Sequence, residues 1–141
     1  MSALADRVAV ITGGSRGIGL AIAHAYRAAG ASVVIAARKP DGLAAARADL
    51  ETVAAPGGVH AVVANAGEPD QAQRCVEETI NRFGRLDILV NNAATNPYHG
   101  DLIDLDLPRA EKTVRVNQYG MLAWTRCAWK ASMAERGGAV V

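Results

Sequence analysis

The chain predicts an α/β fold, a doubly wound parallel sheet with helices on both faces, and three observations carry that expectation. Short apolar runs alternate with stretches whose apolar residues recur at helical spacing, the pattern of βαβ units joined by right-handed crossovers. The apolar runs lack a polar alternate face, as strands covered on both sides do. The first run leads at once into Gly13, Gly14, Gly17 and Gly19, and a helical pattern follows. That order puts a tight turn at the carboxyl end of the first strand, where ligands sit in such folds.

The elements follow in order. Residues 7–12 (RVAVIT) form the first strand. Ile18, Ile22, Ala25, Tyr26 and Ala29 then mark the apolar face of a helix that Gly30 stops. Residues 32–37 (SVVIAA) are a second buried strand. Asp41 is placed to cap a helix with Leu43, Ala46, Leu50 and Val53 inward, ended by Pro56-Gly57-Gly58. Residues 59–64 (VHAVVA) are a third strand. Pro69 suits a first helical turn, and Ala72, Cys75, Val76, Thr79, Ile80 and Phe83 make one face before Gly84 closes the helix. Residues 86–91 (LDILVN) form a fourth strand, and a polar loop runs to Gly100. Asp106 and Pro108 open a long helix ending near Gly137. It is apolar on two sides: Val116, Gly120, Ala123, Trp124 and Cys127 on one, Leu122, Trp129 and Met133 on the other. A helix covered on one side alone would not need both. Residues 138–141 (GAVV) open a fifth strand.

Composition narrows the partners. The 141 residues suffice for one domain, half of them hydrophobic and only 4% aromatic, so the core is built from Ala, Val, Leu and Ile. A net charge of +1 gives no field that favours nucleic acid or an anionic membrane. No run resembles a membrane span or a signal peptide, so the cytoplasm is the expected location. Cys75 and Cys127 fall on helix stripes and read as small buried hydrophobes, with no metal site implied. His24, His60 and His99 are scattered and read as surface or loop residues.

The glycine turn has a physical purpose. Bare backbone lets N–H groups approach phosphate oxygens, and the following helix N-terminus adds partial positive charge. The spacing, Thr12-Gly13-x-x-x-Gly17-x-Gly19, differs both from GxGxxG and from a GxxxxGK[ST] phosphate loop. TGGSRGIG (residues 12–19), NNAA (residues 91–94) and Asn117 in RVNQYG together resemble the short-chain dehydrogenase/reductases. The NNAATNP segment and the tryptophan-bearing helix are most similar to bacterial 3-oxoacyl-[acyl-carrier-protein] reductases of that family. The resemblance covers essentially the whole chain.

The resemblance implies a Rossmann-type domain over residues 1–141, incomplete, with strands 1–4 and the start of strand 5. It implies cofactor contacts from Gly13, Ser15, Arg16, Gly17, Ile18, Gly19, Arg38, Lys39, Asn65, Ala66, Asn92, Ala93 and Ala94. An NAD site usually carries an acid at the end of strand 2; by resemblance that position here is Ala37, followed by Arg38 and Lys39. A guanidinium fork suits a 2′-phosphate, and Arg16 can reach it from the glycine loop. NADP(H) is therefore the expected cofactor; a solvated loop is the alternative reading of these cations. Asn65 stands where the family often has an Asp that touches adenine, and Asn is equally a turn residue. Ala94 replaces the family's usual Gly.

For the chemistry, the family uses a Tyr proton donor, a Lys four residues later, a Ser that orients the carbonyl, and a helical Asn that holds a relay water. Asn117 matches the Asn, although a mid-helix Asn can also simply bond backbone. The residues four beyond Tyr26, Tyr98 and Tyr119 are Gly30, Leu102 and Ala123, none of them Lys. The chain is thus expected to be the cofactor half of a carbonyl/alcohol oxidoreductase, ending before its Ser/Tyr/Lys segment. The alternative is a non-catalytic nucleotide-binding or interaction module, or an inactive remnant. Strand 4 is expected to be an open edge, and the chain to self-associate through the helix around residues 108–136, with Trp124 and Trp129 either at that interface or buried within the chain.

Overall fold

The computed structural model describes residues 2–141. Five parallel strands lie in the order β3-β2-β1-β4-β5. They are β1 (Val8–Thr12), β2 (Ser32–Ala37), β3 (Val59–Val63), β4 (Ile88–Val90) and β5 (Ala139–Val140). Helices α1 (Gly17–Ala28), α2 (Pro40–Glu51) and α3 (Pro69–Phe83) connect the first four. A 3-10 turn (Leu102–Asp104) and the long helix, residues 107–136, lead to β5. Chain order reverses direction across the sheet between β1 and β4, which makes the cleft above them the switch point.

Alternate residues of each strand divide the core in two. Val10, Val34, Ala36, Val62 and Leu89 pack with Cys75, Val76, Trp124, Ala128 and Met133 of α3 and the long helix. Ala9, Ile11, Val33, Ile35 and Val90 pack with Ala23, Leu43, Ala46 and Leu50 of α1 and α2. Small and β-branched side chains let helices sit close on both faces, as the low aromatic content requires.

Several expectations shift. In α1 the fully buried residues are Gly19, Ala23 and Arg27, and Ile22 and Tyr26 of the expected face are half-buried against the same core, whereas Ile18 is 74% exposed and Ala25 faces solvent. The helix starts one residue before Ile18, so its first turn faces the cleft and the inward stripe runs one position later than its apolar spacing suggested. Asp41 lies in the first turn of α2, whose N-cap is Lys39 with Pro40 at N1, so it caps nothing. Strand β4, Ile88–Val90, is shorter than residues 86–91; at its start Leu86 N–H donates to Ser132 Oγ rather than to a neighbouring strand, and the Asp87 carboxylate accepts from Val8 N–H and Arg85. The edges of the sheet are β3 and β5, not β4: Ile88 and Leu89 pair with Ala139 and Val140, and Asn91 N–H donates to Val141 O at 2.8 Å.

The long helix is not one regular α-helix. Segments Leu107–Val114, Gly120–Ala128 and Ala134–Arg136 are separated by π turns at Arg115–Tyr119 and Trp129–Met133. Asp106 caps it by accepting from Arg109 N–H at 2.8 Å. Trp124 and Met133 share the buried side, so Met133 leaves the second face assigned to it, while Leu122 and Trp129 remain 58% exposed.

Charged side chains at the amino end of the sheet are bonded within the chain. Asp87, 5% exposed, accepts from Val8 N–H (2.9 Å), Arg7 Nη1 (3.1 Å), Arg85 Nε (2.8 Å) and Arg85 Nη2 (2.6 Å). Burial works against its charged form, but the bonds from Arg85, Val8 and Arg7 outweigh it and hold the carboxyl below its usual range. Arg27, 4% exposed, donates to the carbonyls of Ala31, Pro56 and Ala55, which ties α1 to the turn that enters β3.

Candidate functional site: a cleft at the carboxyl ends of β1–β4

A cleft of about 670 Å³ opens at the carboxyl ends of the strands. Its wall near β1 is the glycine turn. Gly13 and Gly17 have φ of +65° and +55°, a region that side-chain-bearing residues avoid. Gly19 stands behind the wall rather than in it. A Cβ there would collide with the Gly13 carbonyl and lie 2.6 Å from Asn92 Nδ2. Its bare backbone lets α1 start directly against the loop.

Thr12 and Asn92 lock this turn to the end of β4. The Thr12 hydroxyl donates to Val90 O (3.2 Å) and accepts from the N–H groups of Asn92 and Ala93, each at 3.0 Å. Asn92 Nδ2 donates to Thr12 O (3.0 Å) and Gly13 O (3.2 Å). Ala94 replaces glycine at no backbone cost: among the described residues the one non-glycine with positive φ is Asp6.

Ser15, Arg16, Gly17, Ile18, Arg38, Lys39, Asn65, Ala66, Asn92, Ala93 and Ala94 line the cleft together with Gly13. Asn65 builds a turn with its side-chain oxygen, which accepts from Gly67 N–H at 3.0 Å. Asn117 lies in the first π turn and outside the lining. Its amide clasps the loop after β4, accepting from Thr95 N–H (2.8 Å) and donating to Thr95 O (2.9 Å).

Lys112 and Trp124 also line the cleft, brought there by the long helix. No spacing rule singles out a lysine one turn inside a helix, so no local signal marks Lys112. Arg16, Arg38, Lys39 and Lys112 make no ion pair among the described residues, whereas Arg109 and Arg115, flanking Lys112 on its own helix, pair with Asp106 and Glu68. No Asp or Glu lines the cleft. A glycine-walled cleft with unpaired cations and no acid fits a polyphosphate ligand such as a nicotinamide dinucleotide.

Other candidate centres are structural. Cys75 is fully buried, and that burial pushes its thiol up to about 12, with Glu78 adding to the effect. Cys127 is half-buried and also raised by burial. His24 pairs with Asp49 and His60 with Glu78. Among the described residues there is no cluster of metal-binding side chains, and no helix is long and apolar enough to cross a membrane.

Comparison with known proteins places this geometry. The family model for short chain dehydrogenases matches residues 7–141. Dehydrogenase/reductase SDR family member 4 of Oryctolagus cuniculus is 37% identical over 138 residues, 98% of this chain and 52% of that protein. L-rhamnose 1-dehydrogenase (NAD(P)(+)) of Azotobacter vinelandii is 38% identical over 143 residues, 98% of this chain and 55% of that protein. A solved double mutant of a Serratia marcescens short-chain dehydrogenase/reductase superposes with a TM-score of 0.87 at 30% identity, covering 97% of this chain and 54% of that one. The chain spans about half the length of the curated relatives it matches. The fold, the glycine turn locked to the end of β4 and the match over residues 7–141 make this chain a member of the short-chain dehydrogenase/reductase family.

Proposed function

We propose that this chain is the NADP(H)-binding part of an oxidoreductase that interconverts carbonyl and alcohol groups. The observation that carries the reading is the cleft of glycine backbone and four unpaired cations without an acid. The turn from Gly13 to Ile18, at the N-terminus of α1, holds the pyrophosphate. Arg38, Lys39 and Arg16 hold the 2′-phosphate, and Asn65 and Ala66 lie along the base. Asn92, Ala93 and Ala94 line the path towards the nicotinamide, which when bound supplies or accepts a hydride. Asn117 uses one donor and one acceptor on Thr95, which leaves an N–H and a lone pair of its amide for a relay water.

The substrate we propose is a small carbonyl or alcohol, with 3-oxoacyl thioesters first among those to test. The chain contains no Tyr-x-x-x-Lys, so it binds cofactor without turning it over. The same observation favours the second reading, a nucleotide-binding module with no chemistry of its own. We also propose self-association through the long helix, where Tyr119, Leu122 and Trp129 are 67%, 58% and 58% exposed; a sharp monomer by sedimentation would count against it.

Calorimetric titration with NADPH and NADH tests the cofactor reading. Tighter binding of NADPH is expected. Equal or tighter NADH binding overturns the preference, and binding of neither overturns the site. Reduction of a carbonyl panel by the chain alone would overturn its assignment as non-catalytic.

A further inference from the structure

The turn after β3 is held by the long helix, and we infer that Trp124 is a positioning residue that presents this turn to the base of the bound nucleotide. The inference rests on the cleft being the cofactor site. The Trp124 indole N–H donates to Ala66 O at 3.2 Å. The N–H of that same peptide unit, on Gly67, donates to Asn65 Oδ1 at 3.0 Å. One peptide plane is therefore pinned at both ends. A Cβ on Gly120 would stand 2.5 Å from the same Ala66 oxygen, and one on Gly67 3.0 Å from Val116 Cγ2. The helix and the turn are in contact at backbone distance, and Trp124 supplies the directional bond between them. Filling the core does not require that bond, since phenylalanine offers apolar volume without an N–H.

Pinning the plane leaves two donors at the cleft. Asn65 backbone N–H is taken by Gln71 Oε1 at 2.7 Å. The Ala66 N–H and the Asn65 side-chain NH2 have no protein acceptor among the described residues, and both residues line the cleft. They lie at the end of β3, beside the β2 strand that leads to Arg38 and Lys39. A pair of donors there suits a heteroaromatic ring with acceptor nitrogens. Adenine offers N1 as an acceptor; hypoxanthine carries a hydrogen at N1 and sets donor against donor. A turn that is not held in advance must be ordered on binding, which lowers apparent affinity by the fraction of chains already competent.

The test compares NADP+ with its hypoxanthine analogue, nicotinamide hypoxanthine dinucleotide phosphate. Both are titrated into wild type, Trp124→Phe and a chain with a benzothiophene isostere at position 124, which keeps the indole shape without the N–H. Wild type is expected to prefer NADP+. Both variants should weaken NADP+ by about five- to tenfold, the equivalent of one ordinary hydrogen bond, and the analogue by less than about twofold, so that the preference collapses. The isostere answers the question if Trp124→Phe fails to fold. Equal losses for both ligands, no loss, or no preference in wild type overturns the inference while leaving the cofactor site standing. Wild type that binds neither ligand overturns the cofactor reading itself, and this inference with it.

Discussion

At the amino end of the sheet, Asp87 receives bonds from Arg7, Arg85 and Val8, and Arg27 donates into the carbonyls of neighbouring turns. At the carboxyl end, Arg16, Arg38, Lys39 and Lys112 surround a cleft with no acid in its lining. The same residue types thus serve two purposes. Where cations and carboxylates meet inside the chain, their charge fixes strand ends and connections. Where cations stand alone around bare backbone, their charge is available to a ligand. Damage at one end should appear as lost stability, and damage at the other as lost affinity.

The largest effect is expected at Asp87. Asp87→Ala leaves Arg7, Arg85 and the Val8 N–H without their shared acceptor. It should cost about 2–3 kcal/mol in urea unfolding, below the value for a fully buried pair because Arg7 is 52% exposed. NADPH affinity of the folded protein should not change, and a selective loss of affinity would break the contrast. The pH dependence has a defined sign. The Asp87 carboxyl is held below its usual range, so its contribution is fully present above the unfolded value of about 3.9. That contribution is lost as pH falls through the lower folded value. The difference in urea midpoint between wild type and Asp87→Asn should therefore close on acidification.

At the other end, Arg38→Ala should weaken NADP(H) by about 1.5–3 kcal/mol, the range for a hydrogen bond to a charged group, and leave NAD(H) and the urea midpoint unchanged. Equal loss of both cofactors would remove the 2′-phosphate from Arg38. Lys112→Gln should weaken NADP(H) by about 0.5–1 kcal/mol, since its side chain is solvated. A fall in unfolding stability instead would make Lys112 a structural residue. The smallest effect belongs to neither end. The exposed Arg47–Glu51 pair on α2, at 2.8 Å, should contribute about 0.3–0.5 kcal/mol to stability, read as the coupling energy of a double-mutant cycle.

This division was only half legible in the sequence. The order of strands and helices was readable because apolar runs and glycine stops are local signals, and α3 follows its spacing closely, with Ala72, Cys75, Val76 and Thr79 buried. The glycine turn, Arg38, Lys39 and the Asn92–Ala94 turn were readable because each sits at the end of a strand in a recognisable order. The Asp87 cluster was not, since its partners Arg7 and Val8 lie about 80 residues away along the chain. Arg27 interrupts an apolar stripe and gives no sign of the carbonyls it reaches. Lys112 and Trp124 enter the cleft only through the packing of the long helix, which no local pattern encodes. Met133 turns inward against the regular α-helical period because the helix contains two π turns.

Those π turns decide where the long helix tolerates a change in its length. The inward residues Gly120, Trp124, Ala128 and Ser132 recur every fourth position, and in a regular α-helix such a row drifts around the axis, because four residues turn through about 400°. A π turn holds about one residue more and winds the row back. Deleting a single residue between Arg115 and Tyr119 would let that stretch close as ordinary helix and leave the segment beyond it in phase, with the indole still towards the Ala66 carbonyl. The same deletion in the regular segment Leu107–Val114 would turn everything beyond it by about 100° and swing the indole away, although no inward-facing residue had been replaced. In this helix the place of a one-codon deletion therefore matters more than the letter it removes.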